Sequence, residues 1–200
     1  MTSLPVALNL ENRAVLVVGG GAVGARKAAA FADAGARVTI VSPQLNGDFP
    51  AVEFREKRYE SADCSGFFLI CACTDSREVN AQIARDAKAQ GILCNLADDP
   101  KNSDFHTMAT IRRGEITVGV ATGGLSPVLS RHIKAKIEAA LGEEYALLLE
   151  IAGSYRIETK MRGAFWRLIL ESEILALLRE GERAKAVQKL EMVVKSLAQS

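Results

Sequence analysis

The sequence predicts a doubly wound α/β domain of Rossmann type, followed by a β-hairpin and helix and then a small all-helical C-terminal domain. Three observations carry this. Over the first hundred residues, short and continuously apolar runs alternate with helical stretches, the pattern of parallel strands covered on both faces. A cluster of glycines lies between the first of these runs and the first helix. From about residue 108 the pattern changes, first to strict alternation and then to helical spacing throughout.

Composition sets the limits. The 200 residues allow one large domain or two small ones, at roughly 150 residues per domain. Apolar residues at 48% and charged residues at 24% are near globular averages and exclude a disordered or fibrous chain. With 25 basic and 24 acidic side chains the net charge is +1. No whole-molecule field is available to hold nucleic acid or a membrane surface, so an anionic ligand must be caught by a local cluster. No apolar run approaches the roughly 18 residues needed to span a bilayer, and the first residues show no signal-peptide pattern. The expectation is a soluble, cytoplasmic protein. Cys64, Cys71, Cys73 and Cys94 form no C-x-x-C, and neither His106 nor His132 has zinc-ligand spacing to them, so they read as small buried hydrophobes.

Taken in order, residues 15–18 form the first strand and 23–34, rich in alanine, the first helix. Residues 37–41 are a β-branched strand, and 67–72 a strongly apolar one. In 79–89, Val79, Ile83 and Ala87 recur every four residues, as on a helix covering a sheet, and 93–95 make a short further strand. Residues 108–111 and 115–121 then read as a hairpin turning at Arg113-Gly114, with Ile116, Val118 and Val120 on one face. Ser126-Pro127 is an N-cap followed by proline at the first helical position. The helix runs to about Leu141, with Val128, His132, Ala135 and Ala139 on one face. From Glu143 on, Tyr145, Leu148, Leu149 and Ala152 form one helical stripe. Phe165, Trp166, Ile169, Leu170 and Ile174 form a second, with Trp166 read as core. Gly153, Gly163 and Gly181 are the expected joints. This divides the chain into a dinucleotide-binding domain (1–112), a linking segment (113–142) and a helical domain (143–200).

Gly19-Gly20-Gly21-Ala22-Val23-Gly24 fits G-x-G-x-x-G in its required context, after a strand and opening a helix. Gly19 permits the tight turn and Gly21 a close approach of backbone to pyrophosphate. Gly24 lets the helix lie against the sheet, while the helix N-terminus, at Ala22 and Val23, offers N–H donors and a positive dipole. The acidic residue that should meet a ribose hydroxyl about 20 residues on is missing; the second strand ends Val41-Ser42-Pro43-Gln44. Ser42 could make a weaker ribose contact beside Pro43. No cation follows before Arg55, so the local sequence leaves NAD and NADP both open.

The motifs resemble those of a known family. The segment Leu16 to Lys27 looks like the V-V-G-G-G-x-V-A-x-R-K opening of the precorrin-2 dehydrogenases, stand-alone siroheme-synthesis enzymes and the N-terminal halves of fused siroheme synthases. Ala72-Cys73-Thr74-Asp75 with Val79-Asn80 resembles A-A-T-D…V-N, and Asn95-Leu96-Ala97-Asp98-Asp99-Pro100 with Phe105 resembles N-x-x-D-D-P…F. The segment Thr122 to Arg131 resembles S/T-G-G-x-S-P-x-L-A-R. The resemblance covers residues 4–141. It implies NAD-dependent oxidation of precorrin-2 to sirohydrochlorin, in some members followed by Fe²⁺ insertion. It also implies an intertwined homodimer, to which the hairpin and helix of 108–141 would contribute. Met108 departs from the family, which usually has proline there.

Dehydrogenation removes a hydride and a proton, so the protein must orient the ring and supply a base. Asp98 lies just past a strand, at the carboxyl edge where such sheets bind ligands, and the resemblance assigns it that role. Asp99 reads as a turn or capping residue. Thr74, ending the strongest strand, would face the cofactor. Arg112, Arg113, Arg131, Lys134 and Lys136 could pair with substrate carboxylates, and Ser126 is either a helix cap or part of an anion site. A non-catalytic dinucleotide sensor with a dimeric helical tail is the competing reading.

Overall fold

Each of the apolar runs becomes a strand because the chain covers it from both sides. In the computed structural model, which describes residues 4–198, β1 (Ala14–Val18), β2 (Arg37–Ser42), β3 (Glu53–Glu56), β4 (Leu69–Ala72) and β5 (Leu93–Leu96) form one parallel sheet in the order β3-β2-β1-β4-β5. The chain leaves β1 toward β2 and β3, then returns to the other side of β1 for β4 and β5. The switch point therefore lies between the carboxyl ends of β1 and β4, where open sheets bind ligands.

Alternate residues of β1 take part in two cores. Val15 and Val17 pack with Val38, Ile40, Leu69 and Cys71 beneath Ala28 and Phe31 of α1 (Ala22–Ala32). Leu16 and Val18 pack with Ile70, Ala72 and Cys94 beneath Ile83 and Ala87 of α2 (Arg77–Ala89). The four cysteines are buried free thiols, as expected, and burial pushes those of Cys71 and Cys94 up to about 12. The edge strand β3 has no counterpart in the sequence reading. All four of its residues are exposed, so it carries no hydrophobic pattern and exists through its pairing with β2.

The chain divides into two compact units between Thr107 and Met108. That falls a few residues before the expected boundary, because β6 (Ala109–Arg113) pairs with β7 (Ile116–Val120) and not with the parallel sheet. Gly114, at φ +54°, opens the two-residue turn that sets Arg113 opposite Ile116. Met108 has a structural partner: a Cβ on Gly119 would meet the Met108 sulfur at 2.9 Å, so the long side chain lies over a strand position without one.

The second unit continues with α3 (Pro127–Ala140), α4 (Glu144–Gly153), α5 (Arg162–Leu170), α6 (Ile174–Arg179) and α7 (Arg183–Ala198). Its core comprises Leu148, Ile151, Ala152, Phe165, Ile169, Ile174, Leu178, Ala186 and Leu190. Trp166 packs against this core, edge-on to Phe165. The two stripes are partly displaced: Ile151 is buried where Tyr145 and Leu149 are not fully so, and Leu170 is exposed. Gly153 ends α4 and Gly181, at φ +81°, joins α6 to α7, but Gly163 lies inside α5. Among the described residues no helix is long and apolar enough to cross a membrane.

Candidate active site

The glycine loop is built as its spacing requires. Gly19 turns at φ +121°, and a Cβ there would lie 2.4 Å from the Cys73 carbonyl oxygen, so the chain leaving β1 can pass this close to the end of β4 only as a residue without a side chain. A Cβ on Gly24 would stand 2.2 Å from the Gly19 carbonyl oxygen, which fixes how closely α1 approaches the strand end. Gly21, the N-cap of α1, has nothing within 4 Å of a built Cβ. No side chain caps the helix, and no acidic residue sits in its first turn. The loop thus presents uncapped N–H groups, the positive helix end and open space together, and these fit a dinucleotide pyrophosphate.

Gly20 was not singled out by the motif. A Cβ there would meet the Gln44 carbonyl oxygen at 1.9 Å and the Ser42 hydroxyl at 2.7 Å. The segment after β2 folds over it, with Asn46 N–H donating to the Gly20 carbonyl at 2.7 Å. This changes the reading of Ser42. Its side chain is buried and its hydroxyl donates to the Gln44 carbonyl at 2.8 Å, so it shapes the loop and does not point toward a ribose. Pro43 is exposed at the rim.

Across the switch point, Thr74 follows the end of β4. Its N–H and hydroxyl both donate to Asn80 Oδ1, at 3.2 and 2.8 Å. Asn80 Nδ2 donates back to the Thr74 carbonyl at 3.0 Å and on to Asp98 Oδ1, also at 3.0 Å. Gly19, Thr74, Asn80 and Asp98 therefore form one connected line along the carboxyl edge of β1, β4 and β5. Sequence reasoning quoted Asn80 within a motif but gave it no role.

The loop carrying Asp98 is tied down on both sides. Ala97 N–H donates to the Ala72 carbonyl at 3.0 Å, and Asp104 N–H to the Cys94 carbonyl at 2.8 Å. The Ser103 hydroxyl accepts from Leu96 N–H at 2.9 Å. Asp99 caps the 3-10 turn Pro100–Asn102, and the Asn102 amide, 2.6 Å away, holds its carboxyl below the usual range. Asp98 itself is exposed. Lys27, also without an assigned role, donates from α1 to Asn95 Oδ1 and to the Thr107 hydroxyl, each at 2.8 Å, while Asn95 Nδ2 donates to the Phe105 carbonyl. The pair pins the strand exit beneath the helix.

In the second unit, Ser126 caps α3 by accepting from Leu129 N–H at 3.1 Å, with Pro127 at the first helical position. Arg131 is exposed and Lys134 half-buried on α3. Arg113 is a correction. Its Nε donates to the Leu141 carbonyl at 3.3 Å and bridges Glu143 at 3.1 Å, so the guanidinium ties the hairpin to the end of α3 and is not offered to a ligand. Arg113→Ala should destabilise the second unit by roughly 1–2 kcal/mol, measured by denaturant unfolding, without changing dinucleotide affinity. An unchanged midpoint would return Arg113 to the ligand-binding set.

Sheet order, glycine loop and switch-point position define a dinucleotide-binding protein of Rossmann type. The chain belongs to the family described as "Putative NAD(P)-binding", which it matches over residues 6–109. It is similar to siroheme synthase 1 of Aeromonas salmonicida, 38% identical over 94% of this chain and 43% of that protein. The siroheme synthase of Pseudomonas paraeruginosa is 36% identical over 96% of this chain and 44% of the relative. The chain thus spans less than half the length of these relatives. Among solved structures, "SirC, precorrin-2 dehydrogenase" shares the fold, with a TM-score of 0.74 at 23% identity over 95% of this chain and 100% of the other.

Proposed function

We propose that this chain oxidises precorrin-2 to sirohydrochlorin with NAD⁺, a step in siroheme synthesis. The observation that carries the reading is a carboxylate, Asp98, linked through Asn80 to the strand end beside an uncapped glycine loop. The name of the similar solved structure contains the same substrate, and the names of the siroheme synthases contain the product of the same synthesis.

A dinucleotide bound over Gly21 supplies the hydride acceptor. The protein's part is to hold the tetrapyrrole against it and to take the proton. Bound there, NAD⁺ would take the hydride from one C–H bond of the substrate; the part of Asp98 is to accept the hydrogen that leaves as a proton and pass it to solvent. Sirohydrochlorin, NADH and H⁺ are the balanced products. Two of the cations beside the end of β2 are held by carboxylates, Arg55 by Glu53 at 2.7 Å and Lys57 by Glu60 and Asp63 at 2.9 and 3.2 Å, which at those two positions speaks for NAD⁺ over NADP⁺. The test is anaerobic incubation with precorrin-2 and NAD⁺, following NADH and the sirohydrochlorin spectrum. Fe²⁺ is then added, and metal insertion faster than the spontaneous rate would add the chelatase step. Dinucleotide binding without oxidation would favour the sensor reading.

Substrate carboxylates are assigned to Arg112, Arg131, Lys134 and the N-terminus of α3 at Ser126. Arg131→Ala should raise the KM for precorrin-2 about tenfold, as expected for one charge-assisted hydrogen bond, with unfolding unchanged. An unaltered KM would remove Arg131 from the site. The working form is taken to be a cytoplasmic homodimer joined through α3 and the hairpin. In the single chain the apolar side chains at the start of that helix face outward, Leu125 at 90%, Val128 at 68% and Leu129 at 49% exposure. Val128→Asp should convert a dimer to a monomer in light scattering, and a wild-type monomer would overturn the assembly.

A further inference from the structure

We infer that Asn80 is a positioning residue for the dehydrogenation, its locked side-chain amide aiming the Asp98 carboxylate at the mouth of the dinucleotide cleft. The inference rests on the reading of Asp98 as the base. Asn80 is 2% exposed, and its amide can sit only one way round. Its oxygen accepts from the Thr74 N–H and hydroxyl, and its nitrogen donates to the Thr74 carbonyl. A flipped amide would place nitrogen against a backbone N–H and oxygen against a carbonyl, so the remaining N–H is forced onto Asp98 Oδ1. Among the described residues no other hydrogen-bond donor reaches that carboxylate. One oxygen is therefore held and the other is left free to receive a proton. Joining β4 to α2 accounts for the bonds to Thr74, but it does not need the bond to Asp98.

The titratable groups on the elements around Asp98 are few. On its own loop are Asp99, bonded to Asn102, Lys101, Asp104, which accepts from Cys94 N–H, and His106. On the β4–α2 turn are Cys73 and Asp75, and in the first turn of α2 Arg77 and Glu78. The Cys73 thiol is pushed up to about 11, chiefly by burial and in smaller part by Asp98, while Lys27 and Arg26 of α1 pull it down. None of these donates to the Asp98 carboxylate, so the Asn80 amide is the contact whose removal should be felt.

The experiment uses the full chain. Asn80→Asp keeps the shape and replaces the donor by a second carboxylate, so the acidic limb of the kcat/KM profile should move up by about one pH unit or more. Asn80→Ser, which cannot reach Asp98, should lower kcat about 10–100-fold while NAD⁺ affinity stays within about threefold. In the wild type, the Asn80 side-chain amide resonance should titrate with the same midpoint as the Asp98 carboxyl carbon, and should lose that inflection in Asp98→Asn. A folded Asn80→Asp enzyme with an unmoved acidic limb would overturn the inference and leave the base intact, provided Asp98→Asn is inactive. Turnover surviving in Asp98→Asn would instead remove the base, and this inference with it. If neither Asn80 variant folds, the wild-type titration decides: an Asn80 amide blind to Asp98 refutes the proposal.

Discussion

Asp98→Asn should lose turnover by about 10²–10⁴-fold, the range for removing a general acid or base, while binding NAD⁺ as the wild type does. The substitution is nearly isosteric. The new carboxamide oxygen can still accept from Asn80 Nδ2, so the one hydrogen bond that orients residue 98 survives. Asp98 is exposed and caps no helix, so stability should change by no more than about 0.5 kcal/mol. The change is confined to the ability to take a proton. Its neighbour makes the control. Asp99 accepts from Asn102 N–H at 3.3 Å and from the Asn102 amide at 2.6 Å, so Asp99→Ala should loosen the Pro100–Asn102 turn, with a much smaller effect on rate. Steady-state turnover, NAD⁺ titration and thermal unfolding on the two variants separate the cases. Equal losses from both would mean that the loop's shape, and not the Asp98 carboxylate, is what the reaction needs.

The parts of the fold legible in the sequence are those in which burial writes a pattern. Strands β1, β2 and β4 are covered on both faces, and so read as continuous apolar or β-branched runs. The Ser126-Pro127 start of α3 is a local signal and appears where the local chemistry puts it. Strand β3 was invisible for the opposite reason, since Glu-Phe-Arg-Glu on an open edge has no face to bury. Periodicity puts Val128, His132, Ala135 and Ala139 on one face of α3, and that face is exposed in the single chain; periodicity identifies a face but not what covers it. The site divides along the same line. The glycine loop follows from spacing, because its geometry is local. The Asn80 contacts reach 6 residues back to Thr74 and 18 forward to Asp98, and the Arg113 bond reaches 28 residues to Leu141. Such contacts have no period. For Arg113, residue type and proximity in the chain suggested a ligand, and the fold supplied a carbonyl and two carboxylates instead.

The glycine loop yields the other large effect, and here two neighbouring substitutions should fail in different ways. Gly24→Ala places a methyl group 2.2 Å from the Gly19 carbonyl oxygen, a backbone atom that cannot turn aside. Helix α1 must lift from the sheet over Ala28 and Phe31, which should cost about 1–3 kcal/mol of stability as an overpacked contact. Gly21→Ala meets nothing in the free protein, and its φ of −87° suits any residue. Its stability should change by less than about 1 kcal/mol, the scale of an N-cap substitution. Its methyl group nevertheless enters the space through which a pyrophosphate would reach the uncapped N–H groups of α1. Losing one or two charge-assisted hydrogen bonds there, at about 1.5–3 kcal/mol each, should weaken NAD⁺ binding at least tenfold. Thermal unfolding with and without NAD⁺ reads both quantities. Gly24→Ala should lower the midpoint in both conditions, whereas Gly21→Ala should keep the midpoint of the free protein and lose the rise on adding NAD⁺. If Gly21→Ala binds as tightly as the wild type, no pyrophosphate crosses that residue, and the open space above it belongs to a glycine-rich turn alone.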